Sequence, residues 1–188
     1  MLRLSHPADD GRRLGALLYI FGGLPGTGKS TLSSLLARQL RVAHLRLDVV
    51  EEALRRAGIW RDGPAGYVVL YDLAAANLRL GLDVVADTVN PVVETRQAWR
   101  DVAGDIGSPC VEIEVICSDA VERRRRVESR AADIAGFALP SWEDVVRRHY
   151  ELWREEHIVL DTPGQTVSES FQRLQEALGA ASAGSPHA

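Results

Sequence analysis

The sequence predicts an α/β fold: a three-layer sandwich in which a five-stranded parallel sheet carries helices on both faces and a short arginine-bearing lid. Short apolar runs alternate with amphipathic segments along most of the chain. This alternation is typical of a parallel sheet covered on both sides. The length of 188 residues suits one domain with a full hydrophobic core.

The first half of the chain is predicted to contain three strands and three helices. The strands are expected at 17–21, 43–47 and 83–86, and the first of them is a short continuous apolar run suited to burial on both faces. Its helices are predicted at 30–40, 48–57 and 67–80. The first helix places its leucines on one stripe, and the third ends at Gly81, a favourable C-terminal cap.

The second half continues the alternation, with strands at 110–117 and 158–160. Helices are predicted from Asn90-Pro91 onward and at 119–130, 141–155 and 167–178. Asn90 suits the N-cap position and the following proline suits the first helical position. Ser141 and Asp144 have capping-box spacing. The segment 131–140 is expected to be a linker.

The domain boundaries follow from the composition of the two ends. Residues 1–13 are polar and turn-rich, and we expect a flexible N-terminal arm there. A single domain is expected over 14–179. Residues 180–188 are rich in small residues, which predicts a disordered tail.

The charge balance argues against several partner classes. The formal net charge is −4, so there is no electrostatic reason to expect binding to nucleic acid or to anionic membranes. No stretch is long enough to span a bilayer. The two cysteines, Cys110 and Cys117, are expected to be buried thiols in a reducing compartment. We therefore expect a cytoplasmic monomer or homodimer.

A glycine-rich motif carries the strongest functional signal. The run Gly23-Leu24-Pro25-Gly26-Thr27-Gly28-Lys29-Ser30 fits G-x-x-x-x-G-K-[ST] at every position, between a strand and a helix. Its backbone N–H groups and the helix N-terminus suit phosphate binding. We expect Lys29 to reach the β- and γ-phosphates of ATP, Ser30 to ligate Mg²⁺, and Thr31 to reach the α-phosphate. The expected nucleotide-binding residues are Gly23, Pro25, Gly26, Thr27, Gly28, Lys29, Ser30 and Thr31.

Two carboxylates follow predicted strands, at the edge where open α/β sheets bind ligands. Asp48 can accept a proton from an attacking hydroxyl, or cap the next helix together with Glu51. Asp87 can hold a Mg²⁺-bound water, or cap a loop. Asn90 is more simply explained as a helix cap.

The helix at 119–130 is rich in arginine. Arg123, Arg126 and Arg130 share one face, from which they could close over phosphates and neutralise charge. A solvated face with Glu122–Arg126 pairing is the alternative. Similarly, two tyrosines at 67 and 71 either line an acceptor pocket or belong to the core.

Two other classes of phosphate-loop protein fit poorly. Asp161-Thr162-Pro163-Gly164 has the D-x-x-G pattern of GTPases, but it follows the last predicted strand and no N-K-x-D motif accompanies it. A mechanical ATPase needs a helical lid domain, for which no room remains after the fifth strand.

The chain resembles the kinases of the polynucleotide-kinase-like group, which includes zeta toxins and chloramphenicol phosphotransferase. The matching pieces lie within about residues 16–165: Gly23 to Thr31, Arg46-Leu47-Asp48, Asp87 to Pro91 with Arg96, and Arg126 to Arg130. The resemblance implies a P-loop NTPase fold with an AAA-type ATP-binding domain, and Asp48 as general base. Glu51 stands where viral polynucleotide kinase has arginine, which argues against a nucleic-acid acceptor.

These observations together predict an ATP-dependent kinase that transfers the γ-phosphate to a hydroxyl of a small molecule. The catalytic residues are expected to be Lys29, Asp48, Arg126 and Arg130, and the metal residues Ser30 and Asp87. The alternatives are an adenylylsulfate-kinase-like enzyme, a polynucleotide 5′-hydroxyl kinase, or a nucleotide-dependent binding module without transfer activity.

Overall fold

The computed structural model describes residues 15–59 and 63–184. The predicted N-terminal arm over 1–13 lies outside these residues, as does the end of the chain from 185 onward. The strands are β1 (Leu18–Gly22), β2 (Ala43–Arg46), β3 (Val84–Asp87), β4 (Cys110–Ile116) and β5 (Ile158–Asp161). The helices are α1 (Lys29–Leu40), α2 (Leu47–Arg56), α3 (Ala65–Arg79), α4 (Val93–Ile106), α5 (Ala120–Ser129), α6 (Trp142–Arg147) and α7 (Val167–Gly184).

The five strands form one parallel sheet in the order β2-β3-β1-β4-β5. The register pairs Phe21 with Asp87 and Arg46 with Asp87, so β1, β2 and β3 end at the same edge. The loops that follow these strands are therefore brought together, although they are far apart in sequence. The predicted α/β fold is confirmed.

Side chains of the strands pack into two separate hydrophobic clusters, one on each face of the sheet. Leu18 and Ile20 pack into the first cluster with residues of α3 and with Trp99 of α4. Phe21 packs into the second cluster with residues of α1 and α7. Burial on both faces explains why β1 is a continuous apolar run. Among the described residues, no helix is long and apolar enough to cross a membrane.

Three helix boundaries differ from the predictions. The helix expected from Asn90-Pro91 begins at Val93, because Asn90 adopts a positive φ of 51° and its side chain is buried in tertiary contacts. The helix expected over 141–155 ends at Arg147, although Ser141 and Asp144 do form the predicted capping box. The last helix continues to Gly184, into the region predicted to be a disordered tail.

The residues 148–157, here called the edge segment, lie across the loops that follow β1 and β3. Glu151 donates its backbone N–H to the Pro91 carbonyl at 2.8 Å, and Arg96 donates to the Glu151 carbonyl at 3.1 Å. The Trp153 ring lies so close to Gly22 that a Cβ there would be 2.3 Å from it. These tertiary contacts replace the helical hydrogen bonds that local propensity predicted for this segment.

Candidate active site

Residues 23–30, here called the phosphate loop, join β1 to α1 with the backbone geometry that the motif predicts. Gly23, Gly26 and Gly28 have φ values of 134°, 86° and 94°. A Cβ on Gly23 would lie 2.2 Å from the Val115 carbonyl oxygen, so only glycine fits there. No side chain caps α1 at Gly28, which leaves the first N–H groups of the helix available to an anion.

Lys29, Ser30 and Asp87 meet where β1 and β3 end. The Lys29 ammonium donates a hydrogen bond to Asp87, and the Ser30 hydroxyl oxygen lies 3.4 Å from Lys29 Nζ. Burial alone would raise the pKa of Asp87, but the Lys29 charge and hydrogen bonds from Lys29 and Ser30 hold that pKa below its usual value. Asp87 is therefore a carboxylate, although its side chain is 2% exposed.

The arrangement fits a magnesium ion held jointly by protein and nucleotide. Mg²⁺ prefers hard oxygen ligands and takes one or two from the protein, with phosphates and waters supplying the others. Ser30 and Asp87 provide a hydroxyl and a carboxylate side by side. The described residues contain no cluster of three or more histidine, cysteine and acidic side chains that would form a self-sufficient metal site.

A cavity of about 1500 Å³ opens along the phosphate loop. Around it, α2 and α3 contribute Asp48, Glu51 and Tyr67, while the loops near β5 contribute Thr162 and Gln165. This volume is large enough for a nucleotide and a second small molecule together.

Asp48 lies in the first turn of α2, half-buried, with its side chain on the cavity. Arg46 is the N-cap of this helix and makes no side-chain cap hydrogen bond. Asp48 is thus not at the cap position that the alternative interpretation required. Glu51 lines the same cavity, and burial together with the Asp48 charge raises the pKa of Glu51.

Arg126 lies beside the phosphate loop. Its guanidinium donates to Glu122 at 2.7 Å, to the Thr162 hydroxyl at 2.8 Å and to the Thr162 carbonyl at 2.9 Å. The Thr162 hydroxyl is also 2.9 Å from the Thr27 carbonyl. The D-x-x-G-like segment therefore supports the phosphate loop, and the predicted Glu122–Arg126 pair exists alongside a position on the cavity.

Arg130 and Arg123 differ in their surroundings. Arg130 lines the cavity, and its Nε and Nη2 atoms are buried with no hydrogen-bond partner among the described residues. Burial lowers the pKa of Arg130, while Asp48 and Asp133 oppose that shift. The Arg123 guanidinium instead lies 5.3 Å from the centre of the Trp142 ring, away from the cavity.

The two tyrosines have separate roles. Tyr67 lines the cavity, and its hydroxyl accepts a hydrogen bond from the Asn90 N–H at 3.0 Å. Burial raises the pKa of Tyr67 to about 12, so it stays neutral at physiological pH. Tyr71 packs edge-on against Trp99, with ring centres 4.6 Å apart, and belongs to the core.

Asn90 is not the helix cap that its sequence context suggested. Its side-chain amide donates to the Phe21 carbonyl at 3.2 Å and accepts from Trp99 Nε1 at 3.1 Å. These bonds join the ends of β1 and β3 to α4. Asn90 thus supports the loop that follows Asp87.

Sequence reasoning missed two arginines at this site. Arg46 pairs with Asp133 at 2.5 Å and lies 3.5 Å from Asp87, so it links the predicted linker 131–140 to the sheet edge. Arg148, at the start of the edge segment, lines the cavity near Glu51 and Tyr67. No local motif marks Arg148. Arg46 was noted only within the resemblance.

Comparison with known proteins supports the fold. A family model described as an AAA domain matches residues 18–152. Among curated proteins, none matches the chain. The Mycobacterium tuberculosis APS kinase CysC, solved with AMPPNP and APS, is 21% identical, with a TM-score of 0.65 over 89% of this chain and 99% of that one. A putative kinase from Chloroflexus aurantiacus is 23% identical, with a TM-score of 0.66 over 90% and 99%.

A third similar structure is a gluconokinase from Sinorhizobium meliloti, 18% identical, with a TM-score of 0.57 over 91% of this chain and 99% of that one. These identities are low enough that the likeness concerns the fold alone. The predicted resemblance to small P-loop kinases is confirmed at that level.

Proposed function

The chain belongs to the AAA domain family, and we propose that it is an ATP-dependent kinase that transfers the γ-phosphate to a hydroxyl of a small molecule. One observation carries the proposal. The phosphate loop, with Lys29, Ser30 and Asp87, shares a single cavity with Asp48 and Arg130. A phosphate donor site and a candidate base for an acceptor hydroxyl therefore face the same space.

The residues supply the parts that phosphoryl transfer needs. Lys29 and the N–H groups at the start of α1 would hold the β- and γ-phosphates. Mg²⁺, held by Ser30 and Asp87, would neutralise phosphate charge when bound. Arg126 and Arg130 would stabilise the charge that develops on the transferred group.

Asp48 is proposed to accept the proton of the acceptor hydroxyl. The hydroxyl oxygen then forms a bond to the γ-phosphorus, the bond from that phosphorus to the β–γ bridging oxygen breaks, and ADP leaves with that electron pair. Asp48 is suited to this role because it is half-buried, lies on the cavity and has Arg130 as a charged neighbour.

A small acceptor fits the charges of the site better than a nucleic-acid end. Glu51 lies on the cavity, where burial and then the nearby Asp48 charge raise the pKa of Glu51. A polynucleotide backbone passing Asp48 would meet both carboxyl groups. The net charge of −4 also offers no basic track.

The test is transfer of labelled γ-phosphate from ATP to a panel of hydroxyl compounds, with a 5′-hydroxyl oligonucleotide beside them at low salt. Lys29→Ala should abolish most transfer, since the charge on the β/γ-phosphates is lost. Asp48→Asn should lower turnover by about 10²–10⁴ with nearly unchanged ATP affinity. Asp72→Asn, an exposed carboxylate on α3, is the matched control.

Each result has a clear consequence. Normal turnover in Lys29→Ala would refute the assignment of the phosphate loop as the ATP site, and normal turnover in Asp48→Asn would remove Asp48 from the mechanism. Efficient, salt-sensitive labelling of the oligonucleotide would favour the polynucleotide kinase alternative. ATP binding without transfer to any compound would favour a nucleotide-dependent binding module.

A further inference from the structure

Two arginines from different parts of the chain line the cavity, one near the candidate base Asp48 and the other near Glu51. Arg130 follows the last residue of α5 and Arg148 follows the last residue of α6, and both line the cavity. Burial is the main cause that lowers the pKa of Arg130; Asp48 and Asp133 oppose this shift, and the nearby charge of Arg148 adds a smaller lowering. Like charges that converge in this way disfavour each other unless an anion lies between them.

Neither guanidinium has a carboxylate partner among the residues that the structure describes. Among residues 15–59 and 63–184, no acidic oxygen lies within 4.0 Å of the side-chain nitrogens of Arg130 or Arg148, whereas Arg46 and Arg126 are both paired. Two nitrogens of Arg130 are buried and make no hydrogen bond to any described residue, while Arg148 is exposed at the mouth of the cavity. Buried N–H donors of a charged group are ordinarily satisfied, so these donors point to a missing acceptor.

The roles proposed above at the phosphates of ATP account for Arg126 and Arg130 but leave Arg148 without a role. The phosphate loop, Lys29 and Arg126 already surround the donor position. Arg130 lines the same cavity and has Asp48 as a charged neighbour. Arg148 is near Glu51 and Tyr67, where its charge counteracts the raised pKa of both groups.

We propose that the acceptor is a small alcohol that also carries an anionic oxyacid group, and that this group binds between Arg130 and Arg148 while the hydroxyl lies at Asp48. The inference rests on the proposed kinase function. Carboxylate and phosphate monoester share the required chemistry, since both present two or more oxygens to a guanidinium. The transfer itself is unchanged: the anionic group anchors the substrate and takes no part in bond making.

Glu51 limits how the anionic group can lie. Its carboxylate stands beside Asp48, so an anion placed next to the reacting hydroxyl would be repelled. An anion at the far end of a short alcohol reaches Arg148 and avoids that contact. The site therefore favours a compact substrate with one acidic end over a neutral polyol.

The first experiment compares acceptors that differ only in charge. The wild-type enzyme is assayed for γ-phosphate transfer to two series: glycerol, glycerate and glycerol 3-phosphate, and then glucose, gluconate and glucose 6-phosphate. An anionic member should exceed its neutral counterpart in kcat/KM by about 10- to 100-fold, as expected for a charge-assisted hydrogen bond. The carboxylate and phosphate arms show which oxyacid the site prefers.

The second experiment isolates Arg148 and needs no turnover. The enzyme is loaded with Mg²⁺ and a non-hydrolysable ATP analogue, and binding of inorganic phosphate is measured by calorimetry. Arg148→Ala should weaken phosphate binding by roughly tenfold or more, and Arg148→Lys should recover part of it. Arg147 is exposed, as Arg148 is, but does not line the cavity, so Arg147→Ala makes the same charge change and should bind phosphate as wild type does.

The outcomes separate this inference from the kinase proposal. In active enzyme, Arg148→Ala should raise the KM for the anionic acceptor and leave the KM for ATP unchanged. Preference for neutral acceptors, or equal phosphate binding by Arg148→Ala and Arg147→Ala, would overturn the inference while transfer by the wild type stands. If no compound is phosphorylated, the kinase proposal fails and the phosphate-binding comparison alone decides whether the anion site exists.

Discussion

The Lys29–Asp87 pair predicts that the lysine of the phosphate loop also stabilises the folded protein. The two side chains are 10% and 2% exposed. Removing one partner of a buried ion pair leaves a buried charge and typically costs about 3–5 kcal/mol. In Lys29→Met, Arg46 at 3.5 Å and His44 at 3.8 Å remain near the Asp87 carboxylate. We therefore expect a loss of about 2–4 kcal/mol, somewhat below the full cost.

Urea unfolding followed by circular dichroism measures this loss. With an m-value near 2 kcal/mol/M, the midpoint should fall by about 1–2 M. The double variant Lys29→Met/Asp87→Asn should recover much of it, because no carboxylate remains buried without its partner. Arg124→Gln breaks an ion pair whose side chains are 56% and 51% exposed, and should leave the midpoint unchanged. A Lys29→Met midpoint equal to that of wild type would refute the argument.

Three further perturbations test other parts of the site. Gly26→Ala should lower the free energy of unfolding by about 2–4 kcal/mol, because φ is 86° and the new Cβ would lie 2.7 Å from a Val127 methyl group. Gly28→Ala should lower it by only about 1–2 kcal/mol, because φ is 94° but no atom lies within 4 Å of the new Cβ. Equal losses would show that α5 does not pack on the loop in solution. Asn90→Ala should lower the free energy of unfolding by about 2–4 kcal/mol, since Trp99 Nε1 loses its hydrogen-bond acceptor in the core. A loss below about 1 kcal/mol would show that the Asn90 side chain does not stabilise the fold. Arg126→Ala should lower transfer at least tenfold while the unfolding midpoint changes little; an active enzyme with a large stability loss would contradict its proposed role at the phosphates.

The α/β fold and the phosphate loop could be predicted because their signals are local. The central strand β1 is an apolar run because its side chains are buried on both faces of the sheet, and this pattern lies in consecutive residues. The phosphate loop is similar. Its glycines are needed for a backbone path confined to residues 23–30, so the motif alone predicted the geometry that the structure has.

Asn90 and the edge segment show where local signals fail. Asn followed by Pro is a typical helix start, yet the Asn90 side chain bonds to Phe21 and Trp99, which are distant in sequence. Similarly, a good capping box at Ser141 begins a helix that stops at Arg147. The residues beyond it form hydrogen bonds with Pro91 and Arg96 instead, and those partners become neighbours only after the sheet has formed.

Only the tertiary structure determines which charged side chains lie near Asp48 and Glu51. The sequence by itself determined the fold class, the phosphate loop and the position of Asp48 after a strand. It gave no reason to join Arg148 to Arg130, because they belong to different helices separated by the linker 131–140. Electrostatic interaction depends on distance in space and on burial, and neither is a property of any short stretch of sequence.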